Sequence, residues 1–289
     1  MDWVASSLTG TLYLVGTPIG NLEDISLRAL RVLRQSPLIA AEDTRVTGRL
    51  LAHYEIQTPL TSYHEYNKLD KLDDLLAHLK DDDLALVSDA GMPGLSDPGY
   101  ELVCAAIDHK IPVVPIPGPS AVVNALVVSG LPTDEFVYLG FLPRRPAARR
   151  QLLASLAQER RTLVAYESPR RLVGTLEEIQ RTLGERPVVV ARELTKLYEE
   201  TLRGTPAELL AHFAERPPKG EITLVLGGAA DREPWTDVEV SVAVAERLAA
   251  GTSPTETAKE GGKLSGRPRR QVYQLAIKAP VQTTNSNTL

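Results

Sequence analysis

The chain predicts an α/β fold: two α/β domains with mostly parallel or mixed sheets, followed by a small helical module. Three observations point there. Between Thr11 and Ser129, short apolar runs alternate with stretches of helical apolar spacing. After a break at Gly130-Leu131-Pro132-Thr133, a second series of the same kind begins. From Asp231 onward the apolar spacing is helical only.

Each element has a local reason. Thr11–Gly16 is a short apolar run stopped by Gly16 and Pro18, hence a buried strand. Ile25, Ala29, Val32 and Leu33 share one helical face, with Asp24 or Ser26 as cap and Pro37 as stop. Leu38–Ala41 and Leu84–Val87 are strands, with an amphipathic helix at Leu69–Leu79 between them. Tyr100–Asp108 is a helix, Pro112–Ile116 a strand, and Ala121–Ser129 a helix. The second series has strands at Phe136–Gly140, Thr162–Tyr166, Pro187–Arg192 and Ile222–Gly227. Its helices fall near Arg149–Gln158, Arg170–Leu183 and Pro206–Glu215. Val238–Ala250 and Arg269–Lys278 are the clearest helices of the last part. The expected organisation is therefore 10–131, 132–229 and 232–279, with a polar, disordered tail at 280–289.

Composition narrows the function classes. The 289 residues are 43% hydrophobic and 24% charged, which excludes a largely disordered chain. A single cysteine, Cys104, excludes an intrachain disulfide framework and a multi-thiolate zinc site. The first ten residues lack a basic segment followed by an apolar one, and no apolar run reaches the roughly 18 residues of a membrane span. A soluble, cytoplasmic protein with no membrane partner is expected. The net charge of −5 is unevenly spread: residues 1–140 hold 9 basic and 19 acidic side chains, and residues 141–289 hold 23 and 18. Four arginine pairs lie between Phe141 and Arg171: Arg144/Arg145, Arg149/Arg150, Arg160/Arg161 and Arg170/Arg171. Any single pair fits a solvated helix face, while four together fit a phosphate-binding surface equally well.

The strand ends carry the chemistry. Four of them run into Thr17-Pro18-Ile19-Gly20-Asn21, Glu42-Asp43-Thr44-Arg45, Ser88-Asp89-Ala90-Gly91-Met92-Pro93-Gly94 and Pro117-Gly118-Pro119-Ser120-Ala121. In open α/β sheets ligands bind beyond the carboxyl ends of strands. Glycine lets backbone approach closely, and proline leaves carbonyls without adjacent donors. Such loops suit a ligand with amine donors and a positive centre better than a phosphate. There is no G-x-x-x-x-G-K-[ST] loop, no G-x-G-x-x-G after the first strand, no H-E-x-x-H and no G-x-S-x-G. The five histidines are scattered, and no metal site is expected.

These segments resemble the tetrapyrrole-methylase superfamily of S-adenosylmethionine-dependent enzymes. The matching stretches are LYLVGTPIGNLEDISLRAL, AAEDTRVTGRLL, LVSDAGMPGLSDPG, PIPGPSAVVNALVVSGLP, FVYLGFLPR, YESPRRL, ARELTKLYEE and KGEITLVLGG, eight in order from about Gly10 to Gly228. TPIGN, AEDTR and RELTK point to the branch that methylates the 2′-oxygen of a cytidine in 16S ribosomal RNA, rather than to the porphyrinoid or diphthine-type branches. The chain departs from the family pattern at Met92, Gly94 and Arg170.

The resemblance implies a two-domain fold with the active site in the cleft, a homodimer, and a substrate within the small ribosomal subunit near the decoding centre. It implies S-adenosylmethionine held by Asp89, Ala90, Gly91 and Met92, and by Pro117, Gly118, Pro119, Ser120 and Ala121. Pro18 and Ile19 would form the floor, with Tyr166, Glu167, Gly220 and Glu221 closing from the second domain. The candidates for catalysis are Glu42, Asp43, Lys196 and Glu199. Those for RNA contact are Arg45, Arg144, Arg145, Arg149, Arg150, Arg170, Arg171 and Arg192, joined by Arg267, Arg269 and Arg270 in the C-terminal module. The resemblance leaves two alternatives open: a porphyrinoid or diphthine-type methyltransferase of the same superfamily, and an RNA-binding relative without catalysis.

Overall fold

A computed structural model describes residues 10–230 and 236–278. The tail expected to be disordered at 280–289 lies outside the described residues. Two compact units result, divided at Ala229 and Ala230.

The first unit opens with β1 (Leu12–Val15), α1 (Leu27–Gln35), β2 (Leu38–Ala41), α2 (Thr44–His53), β3 (Leu60–Ser62), α3 (Leu72–His78), β4 (Leu84–Val87), α4 (Tyr100–Asp108), β5 (Val113–Ile116) and α5 (Ala121–Ser129). The strands form one parallel sheet in the order β3-β2-β4-β1-β5. β4 sits between β2 and β1, and all four of its residues are buried, as a central strand requires. One face packs Ala29, Val32 and Leu33 of α1 and Leu50 and Leu51 of α2, and the other Leu75, Leu76 and Leu102 of α3 and α4.

The same unit continues with β6 (Phe136–Phe141), α6 (Pro146–Ser155), β7 (Thr162–Glu167), α7 (Pro169–Leu183), β8 (Val188–Arg192), β9 (Glu200–Gly204), α8 (Pro206–Glu215) and β10 (Ile222–Leu226). This sheet is mixed, in the order β6-β7-β10-β8-β9: β6 and β7 are parallel, and β10 and β9 run antiparallel to their neighbours. Its outer face is covered by α6, α7 and α8 through Leu153, Leu172, Leu176, Leu209 and Phe213. Its inner face receives α5. Val122, Ala125 and Leu126 pack on Val164, Val189 and Val225, with Ile19 in the same cluster. The boundary expected between 131 and 132 thus falls just after a helix of the first series that is buried against the second sheet, which is why residues 10–229 cohere as one unit.

The second unit contains α9 (Asp237–Ala249), α10 (Pro254–Ser265) and α11 (Arg269–Lys278). Val240 and Val244 meet Val272 and Ala276 in a small core. Thr236 starts α9 with a reciprocal cap to Glu239, and Ser253 caps α10. Gly266, with φ at +68°, ends α10 in the left-handed conformation and turns the chain into α11. No helix among the described residues is long and apolar enough to cross a membrane.

Candidate functional site

Because β1, β2, β4 and β5 are parallel, their carboxyl ends lie along one edge, and the four loops meet there. The first and third are joined directly: the Thr17 amide donates to the Gly91 carbonyl (2.9 Å) and the Gly91 amide to the Thr17 carbonyl (3.0 Å). Gly91 has φ at +83°, which favours glycine. The first and fourth touch through their backbones. A Cβ on Gly118 would stand 2.7 Å from the Gly16 Cα, and one on Gly16 2.7 Å from the Gly118 Cα and from the Met92 sulfur. Gly118 is therefore required by loop-to-loop packing. Neither it nor Pro117 and Pro119 is among the residues that line the cavity below.

The second and third loops hold each other. Glu42 Oε2 accepts from the Asp89 amide (3.2 Å), and Asp89 Oδ1 accepts from the Asp43 amide (3.0 Å). Asp43 is the N-cap of α2: its Oδ1 accepts from the Arg45 amide (2.8 Å) and Nε (3.0 Å), and its Oδ2 takes the guanidinium at 2.6 Å. That guanidinium holds the Asp43 carboxyl well below the usual carboxylate range. Asp43 is built into the loop as a cap, and Arg45 is anchored at one end by Asp43.

The opposing wall comes from the second sheet. Tyr166, the penultimate residue of β7, stands beside Tyr138 (ring centroids 5.6 Å apart), and the Tyr138 hydroxyl pairs with Ser96 Oγ at 2.7 Å. This links the third loop to the second sheet. Glu167 is buried and fully engaged, accepting from the Ser168 amide, Thr175 Oγ1 (both 2.7 Å) and Arg171 (2.5 Å). The RELTK turn folds over the first loop. Glu193 and Thr195 both have positive φ (+51° and +67°), strained values for side-chain-bearing residues. Lys196 reaches Glu193 (3.2 Å) and Glu221 (3.0 Å), and its stem lies where a Cβ on Gly20 would be, 2.4 Å from Cγ. Glu199 accepts from the Thr195 amide at 2.6 Å. Lys196 and Glu199 thus hold this turn closed and do not line the cavity. Gly220, with φ at +79°, leaves the room that Glu193 occupies.

Between these walls lies a cavity of about 380 Å³, within the usual range for small-molecule sites. Ile19, Asp89, Ala90, Gly91, Met92, Ser120, Ala121, Tyr166, Glu167, Gly220 and Glu221 line it, as does Glu42. Pro18 lines an adjoining cavity instead. Five carboxylates border the main cavity (Glu42, Asp89, Asp97, Glu167, Glu221), and no Lys, Arg or His does among the described residues. Asp97 is the residue that sequence reasoning missed. It sits in the turn Ser96-Asp97-Pro98-Gly99, inside a stretch that already stood out. Burial pushes its pKa up to about 6, with the charges of Glu42 and Asp89 adding and the Ser88 hydroxyl opposing. Burial likewise raises Glu42, and so do the charges of Asp89 and Asp43, against the opposing pull of the Asp89 amide and His64. The lining fits a cationic, partly apolar ligand: carboxylates come from both walls, Glu42, Asp89 and Asp97 from one and Glu167 and Glu221 from the other, interspersed with Ile19, Ala121, Ala191, Leu194 and Ile222.

The arginine strip divides. Arg149 is a correction to the expected RNA surface: it is only 5% exposed, and its Nε donates to Glu178 Oε2 at 2.6 Å on the neighbouring helix. Arg171 also turns inward, to Glu167, Ser168 Oγ and the Leu142 carbonyl. Arg192 pairs with Glu200 (2.6 Å), as cross-strand neighbours of β8 and β9. Arg144, Arg145, Arg150 and Arg170 are exposed, although Arg150 leans toward Glu178 at 3.4 Å. In the second unit Arg269 and Arg270 are exposed, and Arg267 pairs with Asp237.

The family profile of the tetrapyrrole (corrin/porphyrin) methylases matches residues 11–210. The chain belongs to the tetrapyrrole methylase family. Members of this family similar to it include a protein of Synechocystis named ribosomal RNA small subunit methyltransferase I, 48% identical over 93% of this chain and 98% of that protein. A protein of the same name from Thermotoga maritima is 50% identical over 220 residues, 76% of this chain and 99% of its own length. Among solved tetrapyrrole methylases, a cobalt precorrin-4 methyltransferase shares the fold with a TM-score of 0.56 (17% identity, 77% of this chain and 96% of that one). A uroporphyrin-III C-methyltransferase from Thermus thermophilus, complexed with S-adenyl homocysteine, does so at 0.53 (23% identity, 75% and 97%).

Proposed function

We propose that this protein transfers a methyl group from S-adenosylmethionine to the 2′-oxygen of a cytidine in 16S ribosomal RNA, within the small ribosomal subunit. The observation that carries the cofactor assignment is the carboxylate-rich lining of the main cavity, on loops shaped by Gly91 and Gly118. No cationic side chain borders it among the described residues, and Glu42, Asp89 and Asp97 form no ion pair there, while Glu167 and Glu221 are paired with Arg171 and Lys196. Such a lining favours an ammonium and a sulfonium and disfavours a nucleoside polyphosphate. The acceptor assignment rests on the relatives named ribosomal RNA small subunit methyltransferase I, similar along nearly the whole chain.

When bound, S-adenosylmethionine supplies a methyl group on a sulfonium, a good neutral leaving group. The chain's own work is then to position and to move a proton. Asp89, Ala90, Gly91, Tyr166 and Ala191 of the lining would hold the cofactor and fix its methyl group toward the acceptor. The ribose hydroxyl is a weak acid, so a nearby carboxylate with an elevated pKa suits the proton's destination. Glu42 and Asp97 meet that description and adjoin each other in the cavity. Arg144, Arg145, Arg150 and Arg170, and Arg269 and Arg270 of the second unit, are proposed to meet the RNA backbone. The homodimer and the cytoplasmic setting belong to the same proposal, the first resting on the family resemblance and the second on the composition.

Titration calorimetry tests the cofactor half. S-adenosylmethionine should bind, with Asp89→Asn weakening it about tenfold, and ATP should give no heat. Binding of ATP in preference to S-adenosylmethionine would overturn the assignment.

A further inference from the structure

Beside the main cavity lies a second one of about 460 Å³, most of whose lining the cofactor reading leaves unused. The two share Ile19, Asp89, Ala90 and Glu221, so they adjoin across a partition made by the first and third loops together with Glu221. The rest of its lining has an apolar side chain at Pro18, Leu22, Val46 and Leu50, a hydroxyl at Thr17, Thr47 and Ser88, the backbone of Gly20, and one cationic group, Arg49. Val46 and Arg49 come from α2, the helix that Asp43 caps.

We propose that this second cavity holds the acceptor pyrimidine nucleotide, its flat base against Leu22, Val46 and Leu50 and its phosphate on Arg49. This rests on the methyl-transfer reading above and names where its substrate sits. The apolar side suits a base face, which needs no hydrogen-bond partner. The volume admits a nucleotide and excludes a folded RNA stem. Arg49 is exposed and forms no ion pair among the described residues, whereas Arg45, one turn earlier on α2, is engaged by Asp43. Arg49 is therefore the guanidinium of this helix available to a phosphate. The shared partition puts the sugar, lying between base and phosphate, next to Asp89 and hence to Glu42 and Asp97.

The test uses the full chain, saturated with S-adenosylhomocysteine and titrated with cytidine 5′-monophosphate, with side-chain methyl resonances as the readout. The resonances of Val46 and Leu50 should shift, while those of Ala191 and Ile222 in the main cavity stay in place. Arg49→Ala should weaken the nucleotide about tenfold, and Val46→Trp, which fills the cavity, should abolish binding. Both should leave S-adenosylhomocysteine affinity unchanged, which also reports that they fold. Nucleotide binding that ignores both variants, shifts confined to the main cavity, or no binding by the unaltered protein would overturn the proposal. With ribosomal subunits, Arg49→Ala should raise KM about tenfold and lower the salt slope by about one contact. Failure of the unaltered protein to methylate subunits would instead strike the methyl-transfer reading, because the titration does not involve them.

Discussion

Glu42 and Asp89 hold each other's loops: the carboxylate of Glu42 accepts from the amide of Asp89, and the carboxylate of Asp89 accepts from the amide next to Glu42, that of Asp43. Two side chains 47 positions apart thereby fix the ends of β2 and β4 in one geometry. Hydrogen bonds to ionised groups contribute about 1.5–3 kcal/mol, less when partly exposed, as here. Glu42→Ala and Asp89→Ala should therefore be coupled. A double-mutant cycle on unfolding free energy should give an interaction of about 1 kcal/mol, and strict additivity would mean that the loops are fixed by other contacts.

Asp97 separates stability from activity. Its folded-state pKa, about 6, is above its ordinary value of 3.8, so the folded protein binds the proton more tightly than the unfolded chain. Its contribution to stability is thus fully present below about pH 4 and is lost as pH rises through 6. Asp97→Asn removes that penalty and should stabilise the protein at pH 8 by about 1 kcal/mol after solvent screening. The same variant should slow methyl transfer by a factor of about 10² to 10⁴ and remove any inflection of the rate near pH 6. Denaturant unfolding and a pH–rate profile check the two halves separately.

Gly118→Ala tests loop packing. The new Cβ would meet the Gly16 backbone at 2.7 Å, and backbone cannot step aside as a flexible side chain can. A destabilisation of about 1–3 kcal/mol is expected, with cofactor affinity falling too, because the first and fourth loops must part. Gly174→Ala, in the middle of α7 where nothing lies within 4 Å of an added Cβ, is the control and should be neutral or stabilising. Thermal melts of the two variants decide the point.

The arginines make opposite predictions. Arg149→Ala leaves Glu178 buried with only Arg150 nearby and should destabilise the fold by about 3 kcal/mol. Arg144→Ala with Arg145→Ala should leave Tm unchanged and reduce the salt dependence of RNA binding by about 0.7 per lost phosphate contact. Filter binding across a salt series, alongside melts, distinguishes a structural arginine from an RNA-facing one.

The sequence made some of this legible and hid the rest for physical reasons. The strands β1, β2 and β4 were readable because they are short apolar runs stopped by Gly, Pro or charge. β3 and β9 were not, because edge strands with partly exposed faces need no apolar pattern. α2 was hidden because Glu42-Asp43-Thr44-Arg45 reads as a loop, although Asp43 is in fact the cap that starts it. α10 carries Gly261 and Gly262 and few apolar residues, and its place depends on packing with its neighbours. Arg149 looked like its seven companions, since its partner Glu178 lies 29 residues away and pairing at that range is set by the fold. The loops of the site were visible as Gly- and Pro-rich strand ends, but Asp97 gains its character only from burial beside Glu42 and Asp89.

The most direct test of methyl transfer to ribosomal RNA is to incubate the purified protein with methyl-labelled S-adenosylmethionine and undermodified small ribosomal subunits, then to digest the RNA and identify labelled nucleosides by mass spectrometry. Labelled 2′-O-methylcytidine is the predicted result. An unlabelled RNA, from a protein that still binds S-adenosylmethionine, would contradict it and direct the search to a different acceptor.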